Sequence, residues 1–190
     1  MGNFGAMRTK VELICGQDNT IVEADLVELL QKHVNDYANK WKEQLNLHDQ
    51  SDKFWDWDFK LEFIINRQAN REGYAIEYED ETQGLMLIET QMHGSRLEEG
   101  KRLVYIDGIA TAPWNRTYIQ SPPKLKGVGT AFLAFARTRS LELGFEGRVG
   151  LHSLPGVEEF YDNQGMIDVG EDEDYDDLVY FEYGVFRSPV

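Results

Sequence analysis

Positive charge is in short supply in this chain. Nineteen Lys and Arg stand against 34 Asp and Glu, a formal net charge of −15. That balance excludes a broad basic surface for nucleic acid. It suits solubility, and it also suits attraction of cations such as amines and basic peptides. Cysteine is nearly absent too. The single Cys15 excludes an internal disulfide framework, and inside its apolar run it reads as a core residue of a protein from a reducing compartment, the cytoplasm. No apolar run approaches the ~20 residues that a membrane span needs. Residues 1–6 lack the charged and apolar regions of a signal peptide, and Ala6 stands where a myristoylation motif requires Ser or Thr. No repeat and no linker breaks the 190 residues, so 1–190 read as one domain.

What is present is a chain of amphipathic segments. Met7 to Cys15 reads as a strand, closed by Gly16-Gln17-Asp18-Asn19. Thr20-Ile21-Val22-Glu23 has the form of a capping box. Val22, Leu26, Leu29, Leu30, Val34, Tyr37, Trp41 and Leu45 then predict a helix of more than six turns. Residues 46–72 read as a strand or a helical return. There Trp55 and Trp57 alternate with Asp56 and Asp58, either as core packing or as an aromatic–acidic wall for a cation. Tyr74 to Tyr78 and Leu85 to Glu89 predict a hairpin. Leu103 to Ala112 is nearly all apolar, as a strand buried on both faces should be, with Gly108 marking a bulge and Asp107 its one charge.

Val128, Ala131, Phe132, Phe135, Ala136 and Leu143 mark a helix, and Arg148 to Ser153 a short strand. A helix follows Pro155 and closes at Gly165. Residues 171–177 read as a solvated acidic loop, and Leu178 to Phe186 as the last strand. As an EF-hand that acidic run fails, because Asp177 stands where glycine is required. His33, His48, His93 and His152 show no metal-ligand spacing, so no metal is expected.

The stretch Lys124-Leu125-Lys126-Gly127-Val128-Gly129-Thr130 opens the helix. Small residues at a helix start leave several N–H groups unpaired and aimed one way, a geometry that binds phosphate. It lacks the Gly-Lys-Ser/Thr end of a Walker loop. Phe132 stands where a dinucleotide fingerprint needs its third glycine.

Three blocks around this loop resemble the GNAT family of N-acetyltransferases. Lys124-Leu-Lys-Gly127-Val-Gly129 resembles its Arg/Gln-x-x-Gly-x-Gly/Ala signature, with Lys at the first position. Ile109 to Arg116 resembles its fourth strand and Pro-x-x-Arg exit. Phe160-Tyr161-Asp162-Asn163-Gln164-Gly165-Met166 resembles the end of its last helix. The blocks span 101–186 in family order. About eight residues, 117–124, lie between the exit and the loop where most members have none. This leaves open whether Arg116 or Lys124 takes the family arginine's role, and places Tyr118 to shape the acceptor pocket. Leu154, beside Ser153, holds the place of a cofactor-contacting Asn.

The resemblance implies an α/β fold: a mixed, mostly antiparallel sheet flanked by helices on both faces, in three layers, and often paired as a homodimer. It implies acetyl-CoA as acyl donor and an amine as acceptor. Pantetheine would pair with the backbone of Ile109, Ala110 and Thr111. Pyrophosphate would sit on the N–H groups of Lys124 to Thr130, with Ser153 nearby. Tyr161 matches the family's general acid. Asp107, whose apolar strand would raise its pKa, and His152 are base candidates beside a water chain. Asp107 is equally readable as structural. A catalytically silent module that binds acyl-CoA or a protein is the alternative.

Overall fold

The structure, a computed structural model, describes residues 7–66 and 70–186. Residues 1–6, which carry the reading of the chain's start, lie outside the described residues.

Strand β4 (Glu81–Glu89) shows how the layers arise. Met86 and Ile88 point to one hydrophobic core, Leu85 and Leu87 to another, and all four are buried. A strand apolar at both parities has to be covered on both faces. The first core also takes Phe132, Leu133 and Ala136 from α4 (Val128–Glu142) and Tyr161 from α5 (Glu158–Asn163). The second takes Val34 from α1 (Gln31–Asp36), Trp41 and Leu45 from the π turn and α2 (Lys42–Leu47) that continue it, and Trp57 and Leu61 from α3 (Trp57–Ile65). Each such side chain, fully buried, contributes about 1.5–3 kcal/mol.

Nine strands form the middle layer. They are β1 (Arg8–Cys15), β2 (Ile21–Glu28), β3 (Arg71–Tyr78), β4, β5 (Val104–Thr111), β6 (Leu125–Lys126), β7 (Val149–Ser153), β8 (Ile167–Asp172) and β9 (Leu178–Tyr183). Their order is β6-β1-β2-β3-β4-β5-β7-β9-β8. Neighbours are antiparallel except for β5 and β7. This is the mixed, helix-flanked sheet that the resemblance implies.

Three expectations are corrected. The helix predicted from Val22 begins at Gln31, because residues 21–28 are strand β2, paired with both β1 and β3. Val22 and Leu26 recur at helical spacing, but with Ala24 between them they also alternate, and the sheet partners decide. Thr20 does not cap a helix, for its hydroxyl donates to Asp18 Oδ1 (2.7 Å) inside a β1–β2 turn. The segment after α2, readable as a strand or a helical return, needs no correction: it takes the helical alternative, with a 3₁₀ turn at Ser51–Phe54 and then α3. The acidic run is not all solvated loop. Its first two residues end β8, a largely exposed edge strand, and Asp172 there is buried.

Candidate functional site

The site begins where two parallel strands part. β5 follows β4 from Tyr105 to Thr111, but it meets β7 only at Val104, Tyr105 and Ile106. From there β7 continues with β9 as far as Ser153. The register explains the turn away. Leu87 faces Gly108 and Ile88 faces Ile106, so Asp107 is an unpaired, bulged residue. A bulge bends its strand and breaks the ladder. Among the described residues, residues 107–111 have no strand partner on the β7 side. That leaves polar backbone available to an extended ligand.

Helix α4 starts beside this gap. Gly127 caps it at φ +93°, a left-handed conformation that glycine adopts without strain. The first helical bond runs from Ala131 N to Gly127 O (2.8 Å), so the N–H groups of Val128, Gly129 and Thr130 have no helical acceptor. A Cβ on Gly129 would lie 2.9 Å from the Phe160 ring, and one on Gly84 would lie 2.6 Å from both Val128 and Phe132. Glycine at these two positions lets the helix start seat against α5 and β4.

A cleft of about 810 Å³ joins the two features. Asp107, Ile109, Thr111, Leu125, Gly127, Val128, Gly129 and Thr130 line it, as do His152 and Tyr161. Four predicted residues do not. Ala110 is buried in the core on the other face. Ser153 is buried and donates to the Leu154 carbonyl (3.0 Å). Lys124 is paired with Glu81 (2.7 Å), and Lys126 donates to Asn19 Oδ1 (2.8 Å). Both lysines are instead part of the docking of β6 on β1, where Gly16 N also donates to the Lys124 carbonyl (3.0 Å).

Arg116 has a structural position. Its guanidinium bonds both oxygens of Asp52 (2.9 and 2.5 Å) and the Thr111 carbonyl (3.0 and 2.8 Å). Both side chains are buried, and the pair ties the 3₁₀ turn to the end of β5. Tyr118, in the long loop, lines the cleft rim.

Tyr161 packs against Phe160 and Phe181, with ring centroids 5.1 and 5.6 Å away. Burial raises its pKa, so the phenol stays protonated at neutral pH. Among the described residues its hydroxyl has no hydrogen-bond partner.

Asp107 is not enclosed by apolar groups as the sequence predicts. Its Oδ2 lies 2.5 Å from Lys60 Nζ. Lys60 in turn sits over Trp55 (5.5 Å) and Trp57 (5.9 Å). The two tryptophans have different surroundings. Trp57 is core, edge-on to Tyr37, while Trp55 lines the cleft against Gly108.

His152 is the most constrained side chain here. Nδ1 is 2.7 Å from the Tyr105 hydroxyl and Nε2 is 2.8 Å from Asp172 Oδ2. The Tyr175 ring stacks on it at 4.0 Å. Burial lowers its pKa, and Asp172 opposes that. Arg96, then His152, hold the Asp172 carboxyl down at about 2. Sequence reasoning missed Asp52, Lys60, Tyr105, Asp172 and Tyr175. Only Tyr105 had a local signal, as the polar tip two residues before Asp107.

No protein-family model matches the sequence, and no curated protein matches it. Solved structures do match. The chain is similar to the GNAT domain of PAT from S. lividans, with TM-score 0.61 and 14% identity over 93% of this chain and 96% of that one. It is similar to RimJ of Mycobacterium smegmatis, solved in complex with CoA-disulfide, with TM-score 0.58 and 17% identity over 92% and 86%. It is also similar to the N-acetyltransferase YlbP of Bacillus subtilis, solved with coenzyme A, with TM-score 0.54 and 12% identity over 93% and 96%. The chain therefore has the GNAT fold.

Proposed function

We propose that this chain, built on the GNAT fold, is an acetyl-CoA-dependent N-acetyltransferase that moves the acetyl group directly to a primary amine. One observation carries the reading. The residues of a strand edge left free beyond Ile106, the helix start at Val128 to Thr130 with its unpaired N–H groups, and Tyr161 all line one cleft. Those are the parts acyl transfer requires: a track for the donor arm, an anion seat and a proton source. Two of the solved neighbours were crystallised with coenzyme A or its disulfide.

In this reading the β5 edge from Gly108 to Thr111 holds the pantetheine arm, and the α4 N–H groups hold the pyrophosphate. With Lys124 and Arg116 engaged elsewhere, those backbone donors are the site's fixed means of holding phosphate. The neutral amine attacks the thioester carbon, the C–S bond breaks, and Tyr161 protonates the departing sulfur. Asp107 is committed to the Lys60 ammonium, so its oxygens orient cations at the bulge; a water chain or another group takes the amine's proton. The acidic surface and Trp55 favour a cationic acceptor.

Titration with acetyl-CoA tests the reading, with micromolar binding expected and no binding at millimolar concentration overturning it. Tyr161→Phe should slow thiol release about 100-fold while acetyl-CoA affinity holds. The same engagement of Lys124 and Arg116 also favours a second reading, a GNAT-fold module that binds acyl-CoA or a protein without turnover. Cofactor binding with no thiol release across a panel of amines would select it.

A further inference from the structure

We propose that the Tyr105 hydroxyl and His152 form the relay that takes the proton from the acceptor amine, with Asp172 and Arg96 as positioning residues. The proposal rests on the acetyltransferase reading and assigns its missing base.

The imidazole of His152 is held in one tautomer. Asp172 Oδ2 is 2.8 Å from Nε2, and Arg96 donates to that same oxygen. An ionised carboxylate accepts only, so Nε2 carries the proton and Nδ1 is free to accept. What it accepts is the Tyr105 hydroxyl, at 2.7 Å. Tyr105 and His152 both line the cleft beside the Asp107 bulge, Tyr105 within the paired stretch of the two strands and His152 one residue past its end.

The surroundings hold the ring in place. Tyr175, from the turn after β8, stacks on one face, and Tyr180 of β9 leans on it with centroids 5.0 Å apart. His93 stacks on Tyr105 at 3.9 Å and pairs with Glu89 (2.9 Å). Gly150 leaves the space that Tyr180 fills, since a Cβ there would meet its hydroxyl at 2.2 Å. Glu182 accepts from the Arg96 N–H (2.8 Å) and from Tyr180 (3.1 Å), fixing the segment that carries Arg96. The charged and titratable groups facing His152 are thus Asp172, Arg96 and His93, with the phenols of Tyr105, Tyr175 and Tyr180.

The step balances. As the amine's C–N bond forms, its nitrogen gives a proton to the Tyr105 oxygen, and the Tyr105 proton passes to Nδ1. The charge ends on an imidazolium paired with Asp172. Collapse of the adduct breaks the C–S bond, and Tyr161 protonates the sulfur. Burial keeps both partners ready. It raises the pKa of Tyr105, which stays a phenol, and lowers that of His152, which stays neutral.

The test uses the full chain with acetyl-CoA and a panel of diamines, amino sugars and peptides with free N-termini, read by free thiol. Tyr105→Phe keeps the ring and its stacking on His93. It should lower kcat about 100-fold and leave the KM for acetyl-CoA unchanged. Asp172→Asn should move the acid limb of the kcat profile to lower pH by about 1 pH unit, a shift that a purely structural residue would not cause. Wild-type kcat in Tyr105→Phe, with wild-type thiol release intact, overturns the relay and spares the acetyltransferase reading. No acetyl-CoA binding by the wild type overturns both. Should the variants not fold, nitrogen NMR of the unaltered protein decides: a proton on Nε2 of His152 supports the relay, and one on Nδ1 overturns it.

Discussion

Lys60 puts its ammonium 2.5 Å from Asp107, at the bulge that opens the cleft and over the Trp55 ring. The chain's own cation therefore occupies the aromatic–acidic corner proposed above for a charged acceptor. Lys60 and Asp107 side chains keep 18% and 29% of their exposure, so solvent and ligand can compete for the pair.

Removing that cation should open the corner. Lys60→Met is expected to lower the KM for a diamine about tenfold, the worth of one released carboxylate and one aromatic face. Uncharged amines should change little. Steady-state kinetics with both amine types, at low and high salt, checks the difference, because the gain must shrink as salt rises.

Arg116 and Asp52 form a different kind of pair, buried and bidentate, 64 residues apart in sequence. Losing one member leaves a desolvated charge, which costs about 3–5 kcal/mol. Arg116→Met should lower the Tm by roughly 10 °C in a chain of this size. The double variant Arg116→Met, Asp52→Leu should recover part of that loss. Urea melts of the three proteins measure it.

That pair also shows where the sequence stops being legible. Local signals carried the second half well. The apolar run of β5, the glycine start of α4 and the Phe160-Tyr161 helix all lie where their residues predict. Each is decided within about fifteen residues. The first half turned on partners. Residues 21–28 fit two periods, and only pairing with β1 and β3 makes them a strand. The site divides in the same way. The glycine loop is written in consecutive residues, whereas Lys60 reaches Asp107 across 47 positions and Asp172 reaches His152 across 20. No spacing rule joins such residues. Strand β8 stayed hidden because its six residues carry only Ile167 and Val169 as apolar positions, too short an alternation to mark a strand.

Gly129 offers a local test of the anion seat. A methyl group there would sit 2.9 Å from the Phe160 ring, so α5 or the helix start must move. Gly129→Ala is expected to weaken acetyl-CoA binding about tenfold, since the N–H groups lose their aim. Gly144→Ala is the control. Unlike Gly129 it has a positive φ, of +78°, with open space around it, so the change should cost about 1 kcal/mol of stability and leave binding unchanged. Calorimetric titration of both separates the two effects.

Stability should fall with acid in two stages, and the signs follow from the groups. Burial lowers the pKa of His33, which accepts from Leu30 N (2.9 Å) and meets Glu77 (2.7 Å), and it lowers His152 likewise. A histidine depressed in the folded state is protonated first in the unfolded chain. Its contribution is therefore complete above the ordinary value near 6.5 and is lost as pH falls through the folded value. The carboxyls act lower down. Arg96 and then His152 hold Asp172 at about 2, against an ordinary 3.8. Glu72 is also lowered, burial opposing but Arg139 and Tyr74 prevailing. Their contributions are complete above the ordinary carboxyl range and vanish as pH falls through the folded values. The Tm should thus be level from pH 8 to 7, drop below 6.5, and drop again below 4. His33→Gln should flatten the first drop, and Asp172→Asn the second. Thermal melts from pH 8 to 3 check all three curves, and a first drop that persists in full without His33 would move its origin to His152.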